Sequence, residues 1–405
     1  MMLIGWAALL FVGQVEDYTR AMKEALEAAE AKDWARAARL YGDALRARPA
    51  DPDAERGFRS SIRNLEIYNT RFGELKARTI EKYGLTGVEP TIEAGLKWLA
   101  RTQHKDGHWE HGSPNWRENV AATSFALLAF LADGNSEITG PWKENVRRAV
   151  EWLVAQQKEN GAFGGTRLYT EGLAVLACVE AFAMGGTENT YIAANKGINF
   201  IVKAQKPEGG WMYGPESGGG GDTSVNGMMF QPLMQGKAAY LDFDVQSLER
   251  GRKFTDLVTD EAGWVGYRGK GDGSNDPTRV VLTAIGNLIR IYAGVKLEDP
   301  AVQKGLKLVD AHRDRMKENM YLVYYGTMLT FLAGGKFWDD WRGILLKHLK
   351  EKQIREGEDA GSWAAEGGGH ARGYPEWAGR VCTTAMAILS LECGYRYVPK
   401  AMLPE

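Results

Sequence analysis

Asp222 follows four consecutive glycines, Gly218 to Gly221, and opens an apolar helical stretch. A carboxylate there has two uses. As an N-cap it accepts from the orphan N–H groups of the first helical turn; at the mouth of an apolar pocket, desolvation raises its pKa and makes it a general acid. Thr223 follows directly, Glu171 opens a second apolar stretch, and Asp276 with Arg279 opens a third at i, i+3, the spacing of a local ion pair. The segment "AEGGGHARGYPEWAGR" supplies His370, Arg372, Glu376 and Arg380 just before Cys382. With Asp222 these make one polar cluster, provided the helices behind them meet at one end. The glycine run lacks a following Gly-Lys-Ser/Thr and any βαβ context, so it reads as a flap and not as a nucleotide loop. His104, His108 and His111 are separated by Asp106-Gly107, which interrupts the helix that would align the first two, so neither a metal nor a cofactor is expected.

The elements that must position these groups come from an internal repeat. A glycine or alanine, usually after a basic residue, marks a helical stretch at Gly95, Ala149, Gly197, Gly251, Gly305 and Gly343, at intervals of 54, 48, 54, 54 and 38 residues. In the first three units the helix is followed by Gln-x-x-x-Gly-x-aromatic: Gln103/Gly107/Trp109, Gln157/Gly161/Phe163 and Gln205/Gly209/Trp211. A stretched form, Gln353 with Gly361 and Trp363, closes the sixth, and the fourth keeps only Gly263 and Trp264. The glycine supplies the positive φ that ends the helix, and the glutamine amide bonds loop backbone left unpaired. Each unit holds an amphipathic helix, as in "ENVRRAVEWLVAQQK", then one that is apolar nearly all round, as in "EGLAVLACVEAFAM". Only a buried helix reads like the second. Six such hairpins bury their inner helices best by closing into a ring, since an open solenoid exposes an apolar end. The fold class is therefore all-α, an (α/α)6 toroid over residues 88–400 with a funnel at one end of its inner barrel.

The wider composition agrees. The 405 residues are 44% hydrophobic with a formal charge of −2, which gives no electrostatic reason to expect nucleic acid or an anionic membrane surface as partner. The opening "MMLIGWAALLFVG" is too short to span a membrane and suits residues 1–14 as a signal segment, which would place the protein outside the cytoplasm. Cys178, Cys382 and Cys393 are too few and too scattered for a disulfide framework.

"KGINFIVKAQKPEGGW", Lys196 to Trp211, resembles the QW repeat of the squalene–hopene and oxidosqualene cyclase family, whose helical toroid protein prenyltransferase β subunits share. "GSWAAEGGGHARGYPEWAGRVCTTAMAILSLECGYRYVP" is similar to the closing segment of such proteins. The resemblance implies an apolar central cavity that accepts an isoprenoid or other lipid-like molecule. Cyclases of this family use an Asp-x-Asp-Asp-Thr acid motif; here "GGGGDTSVNG" keeps only Asp222-Thr223, with Gly219 and Gly221 where the other carboxylates would stand. Prenyltransferases hold zinc with Asp-x-Cys, and here Ser224 stands at the cysteine position. The alternative is a non-catalytic protein-binding scaffold. On the ligand-binding reading, Phe125, Phe182, Phe230, Tyr321, Tyr324 and Tyr325 supply π faces in the barrel.

Residues 15–85 form a helical extension in which Ala37, Tyr41, Ala44 and Pro49 follow tetratricopeptide-like spacing, with a third helix expected over about Asp53 to Tyr83. One such unit buries little surface, so it is expected to dock on the toroid or on a protein partner.

Overall fold

The computed structural model describes residues 2–31, 34–48, 51–64, 70–111, 119–137, 140–165, 167–184, 186–273, 278–365 and 375–396. Among these, no strand forms beyond two isolated bridges, Thr259 with Val265 and Gln353 with Trp363. The outer helices are α5 (Glu89–Thr102), α7 (Lys143–Gln156), α9 (Glu188–Lys203), α11 (Gln246–Leu257), α13 (Pro300–Ala311) and α15 (Gly335–Lys352). The inner helices are α6 (Asn119–Ala132), α8 (Leu168–Ala183), α10 (Thr223–Ala238), α12 (Thr278–Tyr292), α14 (Met320–Ala333) and α16 (Pro375–Leu391). In α7 only Val146, Ala149, Val150 and Leu153 are buried, one face of the helix, whereas in α6 every residue from Val120 to Ala132 is buried. Each inner helix packs on the next, α16 returns to α6, and α5 bridges α16 and α6, so the ring is closed.

The loop motif is a staple between units. Gln103 Nε2 donates to the carbonyl of Gly107 in its own loop and to that of Asn145 on the next outer helix. Gln157 does the same to Gly161 and Ala193, and Gln205 to Gly209 and Ser247. Gln353 donates to Gly361 and Thr91, which joins the last unit to the first. The indole N–H groups of Trp109, Trp211 and Trp363 donate to Leu99, Ile201 and Leu349, carbonyls in the last turn of the preceding helix. Gly209, at φ 98, sits where a Cβ would meet the Arg250 carbonyl at 2.1 Å, so this position needs glycine for reach as well as for dihedral angle. Gly251 makes room for the Phe230 and Trp211 rings, which have carbons 2.4 and 3.0 Å from where its Cβ would be.

The extension comprises α1 (Met2–Glu30), α2 (Trp34–Ala47), α3 (Pro52–Asn64) and α4 (Gly73–Lys82). Ala37, Tyr41 and Ala44 are buried in it, while Pro49 lies outside the described residues. Among the described residues the third helix expected from sequence is not one continuous helix: α3 and α4 are separate, with Phe72 extended and Gly73 at φ 52 at the start of α4. That break turns the chain across the end of the barrel where the inner helices finish. There Arg71, fully buried, donates to the carbonyls of Leu131 and Arg396 and pairs with Glu180 at 3.0 Å. Arg396, in the short helix α17 (Cys393–Arg396), pairs with the other oxygen of Glu180 at 3.0 Å. Phe58 of α3 stacks on Phe182 of α8 with centroids 4.9 Å apart, so the extension is docked on the toroid. Among the described residues no helix is long and apolar enough to cross a membrane.

Candidate functional site

The opposite end of the barrel is where the inner helices begin. A cavity of about 820 Å³, its mouth included, lies over the first turns of the inner ring. Its apolar wall comes from Phe125 of α6, Leu173 of α8, and Val281, Leu282 and Ile285 of α12. Five tyrosines border it: Tyr169, Tyr213, Tyr267, Tyr321 and Tyr325. Loop residues His111 and Arg167 add to the polar part, with Thr170, Ser224, Thr278, Asn319 and Cys382. The Arg167 guanidinium lies 5.2 Å from the Tyr213 ring centroid, a cation–π contact on the wall. Tyr169 and Tyr321 approach with ring centroids at 6.3 Å. Burial first, and then the neighbouring tyrosines, push the Tyr169 phenol well above its ordinary range, and Tyr325 is raised well above it too, again chiefly by burial.

Asp222 stands one hydroxyl behind this wall. It caps α10, with Oδ1 accepting from the Ser224 N–H at 3.0 Å and from the Ser224 hydroxyl at 2.6 Å. Ser224 Oγ in turn lies 3.0 Å from the Tyr213 hydroxyl, which borders the cavity. Burial raises the Asp222 pKa; the Ser224 bonds and Arg268, whose Nε is 3.4 Å from Oδ2, pull it down without offsetting that rise. The result is a continuous chain, Tyr213–Ser224–Asp222, along which a proton can pass between the cavity and a buried carboxyl group. Gly220 accepts from the Gly210 N–H, so the glycine run is pinned at its end beside Asp222 and is not free along its whole length as a flap would be.

The remaining candidates divide. Cys382 borders the cavity, as do Phe125, Tyr321 and Tyr325. Thr223 donates to the Gly266 carbonyl at 2.6 Å and holds the loop that carries Tyr267. Buried Glu171 accepts from the backbone N–H of Phe163, the task that Thr123 performs for Trp109, Thr283 for Val265 and Thr384 for Trp363. Arg279 pairs with Asp260 at 3.2 Å and covers Trp264, away from the cavity. Arg380 follows Gly379, whose φ of 66 breaks α16, and bonds Ser362 and Asp359. Asp276, His370 and Arg372 lie outside the described residues, as does the side chain of Glu376. Phe182 and Phe230 are core: the first packs on the extension, the second on Trp211. Tyr324 is buried deeper, its hydroxyl donating to Gln231 Oε1 at 2.9 Å.

Sequence reasoning missed Arg167, Tyr213, Ser224 as a wall residue, and Tyr267. Arg167, Tyr213 and Tyr267 lie in loops without periodicity, although all three loops directly precede or follow a landmark glycine or aromatic residue.

No family model matches the chain. It is similar over short stretches to squalene–hopene cyclases. Identity is 27% across 133 residues to a probable squalene–hopene cyclase of Sinorhizobium fredii, and 32% across 99 residues to the squalene–hopene cyclase of Bradyrhizobium diazoefficiens. These stretches cover 30% and 22% of this chain but only 19% and 14% of those proteins. Among solved structures, a type II terpene cyclase from Scytonema in complex with geranylgeranyl dihydroxybenzoate superposes with a TM-score of 0.53 at 14% identity, over 77% of this chain and 98% of that one. The cellobiose 2-epimerase of Spirochaeta thermophila superposes with a TM-score of 0.54 at 11% identity, over 77% and 98%. At such identities the likeness is one of fold. Together with the closed ring and its loop staples, these similarities give the chain a squalene-cyclase-like α/α toroid fold.

Proposed function

We propose that this toroid binds an isoprenoid or other lipid-like molecule in the cavity at the starts of its inner helices. The observation that carries the reading is the cavity itself, with an aliphatic and aromatic wall and a set of polar groups around it. The similarity to squalene–hopene cyclases and the isoprenoid bound in the Scytonema enzyme support it. For chemistry, the chain offers acid catalysis through Tyr213, Ser224 and Asp222: Tyr213 or Ser224 would give up a proton at the wall and recover it from Asp222. The apolar run at residues 1–13 supports export. The tetratricopeptide-like spacing in α2 fits a cap on the barrel.

Native mass spectrometry of the purified full chain tests the reading. A copurified species released by organic solvent, and rebinding of a polyprenyl probe in competition with it, are expected. Protein that carries no lipid and fails to bind the probe would sink the proposal. The alternative, a non-catalytic scaffold for a protein partner, is favoured by one feature, the glycines at 219 and 221 where cyclases of this fold carry acids.

A further inference from the structure

The first loop of the toroid carries "HKDGHWEH", and no part of it except His111 is used by the cavity. The helix does end before this loop, at Thr102, as the Asp106-Gly107 interruption implies, and the two histidines are brought together by a turn instead. Gly107, at φ 106, closes a tight turn in which the His104 N–H donates to the His108 carbonyl at 2.9 Å and the Gly107 N–H to the His104 carbonyl at 3.0 Å. The turn lays the two imidazoles face to face, centroids 4.4 Å apart, and His108 stacks in turn on Trp152 of α7 at 5.2 Å. Asp106 Oδ1 lies 2.6 Å from His108 Nδ1. Ligating atoms of His104, Asp106 and His108 all lie within 4.8 Å of one another, and among the described residues this is the one place where three such groups converge.

We propose that His104, Asp106 and His108 form a surface site for a borderline divalent transition-metal ion of the zinc class. Ligand atoms around tetrahedral zinc lie about 3.4 Å apart, given bonds of about 2.1 Å. Two adjustments are needed: the exposed Asp106 carboxylate backs off from its 2.6 Å hydrogen bond to His108, and the half-exposed His104 ring rotates out of the stack toward the ion, while the turn fixes its backbone and Trp152 holds His108. Two imidazoles with one carboxylate select zinc, nickel or copper over magnesium and calcium. Three protein ligands leave a position open to water. The corresponding positions of the next two units hold Lys158, Asn160 and Ala162, and Lys206, Glu208 and Gly210, so the site is a property of the first unit and not of the repeat. Bound metal would tie the loop that supports the cavity's His111 to the outer layer at Trp152.

The test uses the tag-free full chain, titrated calorimetrically with zinc and by fluorescence with cobalt. One equivalent of zinc per chain is expected to bind and to raise the unfolding temperature. Cobalt is expected to quench tryptophan emission, and the quenched component should be missing in Trp152→Phe. His104→Ala, which leaves the His108–Trp152 stack in place, should weaken zinc at least about ten-fold, as should His108→Ala. His348→Ala should change nothing. No saturable binding up to about 1 mM zinc, or binding that survives the double His104→Ala/His108→Ala change, overturns the proposal. Unchanged affinity in Asp106→Asn overturns the three-ligand set.

Discussion

The two ends of the inner barrel are made from the same six helices and are finished in opposite ways. Where the helices begin, their first turns surround a cavity, and the caps that satisfy them, Asp222 and Asn319, come from the chain immediately before each helix. Where they end, free carbonyls and the negative end of the helix dipole call for donors, preferably cationic ones. The N-terminal extension supplies these. Arg71 donates to Leu131 and Arg396, Thr70 to Tyr395, and Lys76 to the carbonyl and carboxylate of Asp133. The contrast teaches that the extension completes the barrel and is no appendage to it: one end is sealed by groups brought from 57 to 325 residues away, and the cavity lies at the other.

The largest effect should come from breaking that seal. Glu180 is fully buried and holds both Arg71 and Arg396 at 3.0 Å, so Glu180→Ala strands two buried guanidinium groups. A loss of about 3–5 kcal/mol is expected in urea denaturation. A wild-type midpoint would mean that apolar contacts such as Phe58 on Phe182 hold the extension without help. At the cavity end the expected effect is on binding and not on folding. Ala121→Trp projects an indole into the cavity and should weaken polyprenyl-probe binding at least about ten-fold, or about 1.4 kcal/mol, with the urea midpoint nearly unchanged. Parallel loss of stability and binding would show that this end is packed core after all.

The two ends also differ in how far they could be read from sequence. The ring was legible because its signals are periodic: Gly197, Gly251 and Gly305 recur at intervals of 54, and Gln205/Gly209/Trp211 repeats a local geometry that needs each residue type. Tyr321, Tyr325, Phe125 and Cys382 followed, since they lie on helices whose burial was evident. Arg71, Glu180 and Arg396 carried no such signal. Glu180 is 109 residues from one partner and 216 from the other, and each looks alone in its own segment. Tyr213 and Tyr267 escaped for a related reason, because only the folded loop decides whether an aromatic residue faces the cavity. His104 and His108 show the limit of a local rule: Asp106-Gly107 does interrupt the helix that would align them, and the turn it makes stacks them in another way.

A smaller effect at the sealed end is one of pH. Glu392 is fully buried, and neither carboxylate oxygen has a hydrogen-bond partner. Burial pushes its pKa well up and the charge of Asp133 adds to this, while Lys76, Arg396 and Arg71 act in the other direction and do not offset it. An acid whose folded pKa is raised stabilises the fold most fully below its unfolded pKa, and that contribution is lost as pH rises through the folded value. Glu392→Gln should therefore leave stability at pH 4 unchanged and flatten its decline above that. An identical decline in the variant would mean that Glu392 has the same pKa in the folded and unfolded protein, so that burial does not hold its proton.

The smallest effect on stability, and the sharpest on chemistry, is expected at Asp222. Asparagine caps a helix about as well as aspartate, so Asp222→Asn should fold with a cost of no more than about 0.5 kcal/mol near pH 4. Because burial raises the Asp222 pKa, the wild type should lose ground to the variant as pH climbs above the ordinary aspartate range. Ser224→Ala removes the 2.6 Å bond to Oδ1 and the link to Tyr213, at a cost of about 0.5–1.5 kcal/mol. If the Tyr213–Ser224–Asp222 chain carries protons, both variants should abolish any turnover of a bound polyene while retaining it as ligand, and mass spectrometry of the bound species reads that directly. If Asp222 only caps, turnover survives in both. A cap has no use for the Tyr213 hydroxyl, so Tyr213→Phe, which alters no backbone contact, separates a helix that merely needs a start from a wall that delivers a proton.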